Sequence, residues 1–544
     1  MSLFSGNLIT PFDWEVDAMA KLGFTLSMLR FSVSFFASIP IGAMLRYIPS
    51  VPGRHLFSFL TGFFLVYYPF GNGCLHLVIA AVLTYFAMLI AREHAGTLAW
   101  LIDFTYLIGC HIYTASGTAW KEGNMDFTGA MMVLVLKLIS TAVTYQDGVR
   151  KPELLNAYQQ AHVVKRMPSL LEYLSYLFAA GNLLSGPHFE LSDYLNYIQR
   201  WGPWDTRQAK EGLPSPVVPG LTRFVKALVC LALHMYLKQD YSPDLLESNW
   251  YHSRPLLFRM GLIAFVGFVY RLRYYFAWAV AESGLIFQGF CFNGYDDKGR
   301  PLWDRYVNTR IRNVEFCTSA THYATHWNTC TGNFLRQYVY ERLTPRGKKA
   351  PFSVMLVTQL VSGVWHGVFA GYGLFFVSSA FMFESAKIIY RYEQTWPARL
   401  RTNPLWMVIK WAYSTFVLNY SASAFMVLSW APSIAVWHSV GFLGHFLMLA
   451  IFLVSMVAPP RRPRRTTAKR SPAEGKATTN GHAATNGDAA KLQNGVDHAT
   501  NDVAGQAQAG LDKATNGAAN GFHNYVPAKQ AGLTEVAGEV KKGV

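Results

Sequence analysis

Residues 22–45 read LGFTLSMLRFSVSFFASIPIGAML, an apolar run of 24 residues whose one charged side chain is Arg30. A helix needs about 20 consecutive apolar residues to cross the hydrocarbon core of a bilayer. The residues before Lys21 carry three acidic side chains and no basic one, whereas a cleaved signal peptide begins with positive charge. The run therefore predicts a first transmembrane helix that is retained in the mature protein.

The composition of the whole chain also indicates a membrane protein. Hydrophobic residues make up 51% of the 544 residues and charged residues only 15%, compared with about 25% charged residues in a typical soluble domain. The pattern of apolar runs predicts an all-α, polytopic membrane helical bundle of about 11 transmembrane segments. The further predicted spans are 55–70, 73–91, 96–113, 128–145, 224–238, 256–281, 351–368, 369–390, 405–430 and 433–457. Segment 169–185 is more polar and predicts a re-entrant or interfacial helix.

The charges of the loops predict the orientation of the chain in the membrane. Basic residues concentrate after the first, third and fifth predicted spans, and again at 461–465 after the last one. Because cytosolic loops are rich in Lys and Arg, this pattern predicts a luminal N-terminus and a cytosolic C-terminus. The net charge of +16 therefore indicates loops near anionic lipid headgroups. A nucleic-acid partner is not expected, because the aromatic residues lie inside apolar runs rather than between basic ones.

The last 86 residues differ from the rest of the chain. Residues 459–544 hold only ten Leu, Ile, Val or Phe residues and repeat Thr-Asn-Gly three times. Such a segment has too little apolar surface to fold alone. We therefore expect a membrane domain at 1–458 and a disordered, low-complexity cytosolic tail at 459–544. Lys541 and Lys542 near its end resemble a dilysine retrieval signal of endoplasmic reticulum membrane proteins, the alternative being a chance basic end.

Patterns that would indicate a metal site or another catalytic class are weak in this sequence. The six cysteines are scattered and form no C-x-x-C pair. His322 and His326 have the i, i+4 spacing of paired metal ligands, but membrane di-iron enzymes need several such boxes. His188 and Asp193 spell H-x-x-x-x-D, which we interpret as a coincidence because the accompanying motifs of that acyltransferase class are missing. We expect no metal site.

Polar residues within apolar sequence mark the candidate site. A charged side chain inside a span costs several kcal/mol, about 2.5–3.5 by insertion scales, so Arg30 and Lys137 must pair internally or snorkel unless they have a function. His366 lies in the apolar stretch 359–367, where burial favours the uncharged imidazole, a competent general base. A lone membrane histidine more often bonds only between helices. A polar stretch with Asn328 lies 38 residues upstream, however, and we expect it to fold back against His366.

These segments together resemble the membrane-bound O-acyltransferase (MBOAT) family, specifically its lysophospholipid acyltransferase branch with a plant- or alga-like character. The resemblance covers roughly residues 20–457. It rests on FNGYD at 292–296, WN..T..FLR at 327–336, YVYERL at 338–343 and VSGVWHG...GY..F at 361–375, together with the stretch from Ser185 to Tyr194. The family often has Thr-Asn-x-Trp-Leu where this chain has Thr331-Gly332-Asn333-Phe334-Leu335.

The resemblance implies an activity and a set of site residues. It implies acyl transfer from acyl-CoA, a co-substrate rather than a bound cofactor, to the hydroxyl of a lysophospholipid such as lysophosphatidylcholine. The endoplasmic reticulum membrane is the location that Lys541 and Lys542 predict. It implies His366 as general base and Asn328 as the residue that positions the acceptor or donates to the oxyanion. The implied substrate-binding residues are Trp327, Asn333, Arg336, Ser362 and Trp365.

Several alternatives stand at this point. Within the family the acceptor is a lysophospholipid, diacylglycerol, a sterol or a protein. A polytopic transporter also has many spans with buried polar groups, although the two halves of this chain show no matching pair of broken helices. The basic residues Arg336, Arg342, Lys348 and Lys349 either meet the phosphates of CoA or only set the topology.

Overall fold

The computed structural model describes residues 6–114, 125–179, 182–205, 213–345 and 347–459. Within these ranges the chain is helical, and no strand forms beyond two isolated β-bridges, Tyr295 with Pro301 and Thr309 with Trp327. The predicted all-α class is confirmed. The predicted tail lies outside the described residues except for Pro459, so its disorder and its dilysine signal stay predictions.

The first part of the bundle contains a series of long helices followed by several short ones. These helices are α1 Asp13–Leu22, α2 Leu26–Met44, α3 Val51–Phe70, α4 Cys74–Ile90, α5 Ala95–Thr114, α6 Thr128–Asp147, α7 Ala157–His162, α8 Leu170–Leu177, α9 Asn182–Ser185 and α10 Leu191–Gln199. Turns of 3₁₀ helix lie at Leu45–Tyr47, Gly71–Gly73, Arg92–His94, Pro152–Leu154 and Gly202–Trp204. The predicted re-entrant or interfacial segment corresponds to α8 and α9, which are both too short to cross a bilayer.

The second part of the bundle places short helices between long ones. Its helices are α11 Val217–Leu237, α12 Asn249–His252, α13 Leu256–Gln288, α14 Ile311–Glu315, α15 Ala320–Ala324, α16 Thr329–Leu335, α17 Glu341–Leu343, α18 Phe352–His366, α19 Ala370–Glu393, α20 Ala398–Arg401, α21 Pro404–Val427, α22 Trp430–Ser439 and α23 Leu443–Val457. A 3₁₀ turn lies at Pro243–Glu247, and a π-helical turn at Arg336–Tyr340 joins α16 to α17.

Local sequence signals explain where several helices begin and end. The hydroxyl of Thr25 accepts a hydrogen bond from the backbone N–H of Met28 at 3.3 Å, and thereby caps the start of α2. Ser50 caps α3 in the same way. Helix α13 ends at Gly289, whose φ of 89° lies in the left-handed region that favours glycine.

The predicted count of 11 spans is not confirmed. By length and composition, six helical segments of the described chain can cross a membrane, or seven if the bent pair α22 and α23 counts as one. Two predicted spans, 55–70 and 73–91, correspond to α3 and α4, which the turn at Gly71–Gly73 joins into one candidate segment, Val51–Ile90. Helix α18 has only 15 residues, and α13 carries Arg259, Arg271, Arg273 and Glu282. The predicted spans on α13 and α18 are therefore not among these segments.

The core of the bundle forms around α6. Every residue of this helix except Gly129 and Gln146 is buried, as expected for a helix that is apolar on all sides. Helices α4 and α5 pack against it, and its Lys137 lies in the interior rather than at the lipid surface. The Lys137 ammonium donates to the carbonyl oxygens of Tyr176 at 2.7 Å and Leu177 at 3.3 Å, so this charge has interior partners as the sequence allowed.

Arg30 also has an interior partner, the carboxylate of Glu15 in α1. Arg30 donates to Glu15 through Nε at 2.7 Å and through Nη2 at 2.8 Å, and both side chains are buried. The Tyr68 hydroxyl and the backbone N–H of Phe12 donate to the same carboxylate. The hydrogen bond from Arg30 lowers the pKa of Glu15 to about 2.

Replacing Glu15 with alanine is expected to destabilise the solubilised protein by about 3–5 kcal/mol, because it leaves the Arg30 guanidinium buried without its counter-ion. The measurement is thermal unfolding in detergent, followed by intrinsic fluorescence. Asp13→Ala is the matched control, since Asp13 is exposed on the same helix. Equal melting temperatures for the two variants would contradict the expectation.

Candidate active site

Helix α18 carries the polar residues of the predicted histidine box on one face. Gln359, Ser362 and His366 follow the i, i+3, i+7 spacing that aligns side chains along a helix. The helix ends at His366 because Gly367 has a φ of 137°, a conformation that strongly favours glycine. A Cβ atom on Gly367 would also approach the ring of Tyr372 to 3.2 Å.

The end of α18 is held by contacts from α5 and α6. The Trp365 indole donates to the carbonyl oxygen of Met132 at 2.8 Å. Nε2 of His111 lies 3.2 Å from the carbonyl oxygen of Trp365. The position of His366 along the bundle is therefore fixed by its neighbour in sequence.

The imidazole of His366 lies among aromatic rings. Its centroid is 5.3 Å from that of Phe376, with the two planes 23° apart, and 5.0 Å from that of Phe425. Within the described part of the chain, neither ring nitrogen has a hydrogen-bond partner. Packing thus holds the ring while its nitrogens stay available for a substrate.

Asn328 begins helix α16 in the left-handed conformation, with φ 46° and ψ 49°. Asparagine is among the few residues other than glycine that adopt this conformation readily. Oδ1 of Asn328 accepts a hydrogen bond from Nδ2 of Asn308 at 3.2 Å. This bond orients the amide of Asn328 relative to the cavity that its side chain lines.

One cavity joins the two predicted catalytic residues. His366, Asn328, Trp327 and Ser362 all line it, and it comprises about 1150 Å³ of space free of protein atoms, including its opening. Its walls come from α13, from the chain around α15 and α16, and from α18, α19 and α21. Chain segments far apart in sequence thus meet around one histidine.

The two sides of the cavity differ in chemistry. The side formed by α13 and the segment before α16 carries Tyr and Trp rings, with the centroid of Trp327 4.8 Å from that of Trp278 and 5.7 Å from that of Tyr274. The side formed by α19 and α21 is mostly apolar, with phenylalanine, methionine and leucine side chains. Its members include Phe375, Phe376, Met382, Phe383, Leu418, Phe425 and Met426.

The cavity carries little net charge. Among its described lining residues, Arg271 is the one charged side chain. It donates to Glu315 through Nε at 2.9 Å and through Nη2 at 2.6 Å, and to Oδ1 of Asn419 through Nη1. This bidentate pair neutralises the guanidinium and leaves a lining suited to an uncharged acyl chain.

Three predicted substrate-binding residues do not line the cavity. The Trp365 indole is bonded to Met132, as described above. The Asn333 amide donates to the hydroxyl of Tyr158 at 3.0 Å, and Arg336 forms an ion pair with Glu341 at 3.4 Å. Asn333 lies on α16 and Arg336 on the π-helical turn that follows it. Their binding roles stay predictions.

The basic patch before α18 is partly neutralised. Arg342 forms a bidentate ion pair with the buried carboxylate of Asp147 at the end of α6, with N–O distances of 2.8 and 2.5 Å. This pair ties the chain between Asn328 and His366 to the core of the bundle. Lys348 and Lys349 are exposed on the connector that follows.

The two other histidine patterns lie outside the cavity lining. His188 bonds the hydroxyl of Ser140 through Nε2, whereas Asp193 accepts from Tyr306, so the two residues have separate partners. His326 bonds the carbonyl oxygen of His322 through Nδ1 and Asn313 through Nε2. No group of three or more potential metal-ligating residues forms in the part of the chain that the structure describes.

Sequence reasoning missed several residues of the site. Helix α13 contributes Tyr274, Trp278 and Arg271 to the cavity. In the sequence these residues are not distinguishable from the other aromatic and charged residues of the predicted span. Asn308 lies in a polar loop, 20 residues before Asn328, in no motif that we singled out. A hydrophobic-moment pattern does not separate a cavity face of a buried helix from a packing face, so no signal in one sequence identifies these residues.

Comparison with known proteins gives consistent matches. The model of the MBOAT, membrane-bound O-acyltransferase family, matches residues 112–427. Lysophospholipid acyltransferase 1 of Arabidopsis thaliana is 38% identical over 457 residues, which are 83% of this chain and 99% of that protein. Lysophospholipid acyltransferase of Schizosaccharomyces pombe is 31% identical over 80% of this chain and 87% of its own length.

A human relative is more distant. Membrane-bound glycerophospholipid O-acyltransferase 2 of Homo sapiens is 28% identical over 81% of this chain and 86% of its own. The family model covers more than half of the chain, and the two closer relatives above exceed 30% identity over nearly their whole length. With its apolar helices, and with the histidine of its WHG motif lining the cavity described above, the chain belongs to the membrane-bound O-acyltransferase family.

Proposed function

We propose that the protein transfers an acyl group from acyl-CoA to the free hydroxyl of a lysophospholipid, with lysophosphatidylcholine among its acceptors. The observation that carries the proposal is that His366 and Asn328 line one cavity with a largely apolar side. The plant and yeast relatives are both named lysophospholipid acyltransferases. The largely apolar side of the cavity suits an acyl chain, since ligand sites are lined mostly by hydrophobic and aromatic side chains.

The proposed reaction needs one base and one hydrogen-bond donor. His366 removes the proton of the acceptor hydroxyl while its oxygen attacks the thioester carbonyl carbon. A C–O bond forms and the C–S bond breaks. The proton then passes from His366 to the departing thiolate, which leaves as the thiol of CoA. Asn328 stabilises the negative charge that develops on the carbonyl oxygen.

The two substrates differ in where they must enter. CoA is polyanionic and water-soluble, and the exposed Lys348 and Lys349 lie on the connector that directly precedes α18. Arg336 and Arg342 are paired within the protein, which supports a CoA contact at the two lysines more than at the arginines. The acyl chain and the lysolipid reach His366 from the membrane. We also propose the endoplasmic reticulum membrane as the location, on the basis of Lys541 and Lys542.

An acceptor panel tests this function. Membranes containing the protein receive labelled oleoyl-CoA or palmitoyl-CoA with lysophosphatidylcholine, other lysophospholipids, diacylglycerol or cholesterol, and the products are separated by thin-layer chromatography. We expect labelled diacyl phospholipid from the lysophospholipids only, and at background level in membranes from the same host without the protein. Transfer to diacylglycerol or cholesterol alone, or solute flux without any acyl transfer, would contradict the proposal.

A further inference from the structure

The hydrogen bonds around Asn308 fix the orientation of the Asn328 amide, that is, whether Oδ1 or Nδ2 faces the cavity. Asparagine presents both an acceptor, Oδ1, and a donor, Nδ2, so its role in a site depends on which group faces the substrate. A backbone N–H can only donate, and the N–H of Cys330 donates to Oδ1 of Asn308 at 3.1 Å. This contact requires the oxygen of Asn308 to point at Cys330.

The rest of the orientation follows from that contact. With its oxygen directed at Cys330, Asn308 presents its Nδ2 donor to Asn328 and bonds Oδ1 of that residue at 3.2 Å. Asn328 must therefore use its oxygen as the acceptor. Its own Nδ2 group has no partner among the described residues, and the side chain lines the cavity that His366 also lines. The group offered to the substrate is a hydrogen-bond donor.

Asn308 is itself held on several sides. It is 1% exposed, and its backbone N–H donates to the buried carboxylate of Glu282 on α13 at 2.7 Å. Its carbonyl oxygen accepts from the N–H of Thr329 at 3.0 Å. Glu282 in turn forms an ion pair with Arg223 of α11 at 3.4 Å. The loop at Asn308 is thus fixed against α13, whose Glu282 is itself paired with α11.

We propose that Asn308 is a positioning residue that keeps the Asn328 amide with its donor toward the reacting carbonyl, and that Asn328 acts as an oxyanion donor rather than as an acceptor for the attacking hydroxyl. The inference rests on the proposed acyl transfer and deepens it. An N–H donor strengthens its bond as charge develops on the thioester oxygen, and therefore favours the transition state. An amide oxygen in the same place would repel that charge.

The test is Asn308→Asp, an isosteric change that replaces the Nδ2 donor with an oxygen acceptor. The introduced carboxylate still accepts from the Cys330 N–H but no longer donates to Asn328. The Asn328 amide then turns its Nδ2 toward the carboxylate and its oxygen toward the cavity. We expect kcat to fall by about 10²-fold, the loss typical of one oxyanion donor, with KM for both substrates near the wild-type value.

A comparison with Asn308→Ala separates positioning from a purely structural role. Alanine frees the Asn328 amide but does not reverse it, so the alanine variant should keep more activity than the aspartate variant. A structural role predicts the opposite order, because aspartate preserves the shape and the contact with Cys330. Asn313→Asp is the matched control, since Asn313 bonds His326 and not Asn328. Size-exclusion chromatography and thermal melting in detergent verify that each variant is folded.

A pH series on Asn308→Asp gives a second readout that a structural role would not move. A protonated carboxyl has an O–H that donates to Oδ1 of Asn328, and burial raises the pKa of a carboxyl. The ratio of variant to wild-type kcat should therefore rise as the pH falls from 8 to 5.5. A constant ratio, or a larger loss in the alanine variant, would overturn the inference.

A double variant completes the test. In an Asn328→Ala background, Asn308→Asp should cause no further loss of kcat, because the residue through which it acts is gone. Additive losses would overturn the inference. Failure of the wild-type protein to transfer acyl groups would instead refute the proposed function, so the two failures are distinguishable.

Discussion

Replacing His366 with alanine is expected to lower kcat for acyl transfer by about 10²- to 10⁴-fold, the range that general base catalysis contributes. The ring lines the cavity together with Asn328, and its nitrogens have no hydrogen-bond partner among the described residues. No second base is therefore bonded to His366 that could remove the proton once the imidazole is gone. The measurement is the initial rate of phosphatidylcholine formation from labelled oleoyl-CoA and lysophosphatidylcholine. His366→Gln should lose as much, because an amide forms hydrogen bonds but does not exchange a proton at neutral pH.

His438→Ala is the control for the loss of an imidazole. His438 is exposed on α22 and does not line the cavity, so this variant should keep wild-type activity. Protein amounts are matched by immunoblot of the membranes. Undiminished transfer by His366→Ala would refute the mechanism and leave the cavity without an assigned base.

Removing the side chain of Asn328 is expected to lower kcat by about 10²- to 10³-fold, the loss seen when one oxyanion donor is deleted. Because Asn328 has a φ of 46°, the experiment needs two variants to separate the loss of the amide from strain in the backbone. Alanine strains this backbone, whereas glycine adopts the left-handed conformation freely. Asn328→Ala and Asn328→Gly should therefore lose the same activity. Both leave the buried Asn308 amide without its acceptor, and the strained alanine variant should lose more thermal stability than the glycine variant.

The glycine variant thus separates the amide group from the backbone turn. If Asn328→Gly retained wild-type kcat while Asn328→Ala did not, the turn rather than the amide would carry the function. The assay is the one used for His366, and the melting temperature in detergent reports the backbone strain. Asn313→Gly, on the short helix α14, tests whether the same exchange elsewhere between α13 and α16 affects the rate.

The sequence predicted the helical class and the pairing of the two central residues. Long apolar runs identify helices because a membrane leaves the backbone few other ways to satisfy its hydrogen bonds. Burying an imidazole inside such a run costs free energy, so the sequence marks it as a candidate functional group. A polar stretch between membrane segments must fold against protein, because lipid does not satisfy its hydrogen bonds. His366 and Asn328 line the same cavity, and their catalytic roles stay predictions.

The ion pairs and the orientation of Asn328 depend on contacts between distant residues, which the hydrophobic periodicity of the sequence does not indicate. The pairs Arg30 with Glu15 and Arg342 with Asp147 join residues 15 and 195 positions apart, and each neutralises a charge that hydropathy alone treats as a penalty. The polarity of Asn328 depends on the backbone N–H of Cys330 through Asn308, a relation visible only in three dimensions.

The ion pair between Arg342 and Asp147 also determines where this protein tolerates changes in length. It anchors the chain just after the π-helical turn, and α18 begins again at Phe352. Doubling the length of a flexible loop costs only about 0.6 kcal/mol in closure entropy. An insertion in the eight-residue connector 344–351 should accordingly leave the geometry around His366 and Asn328 unchanged, while it displaces Lys348 and Lys349, the proposed contacts of CoA.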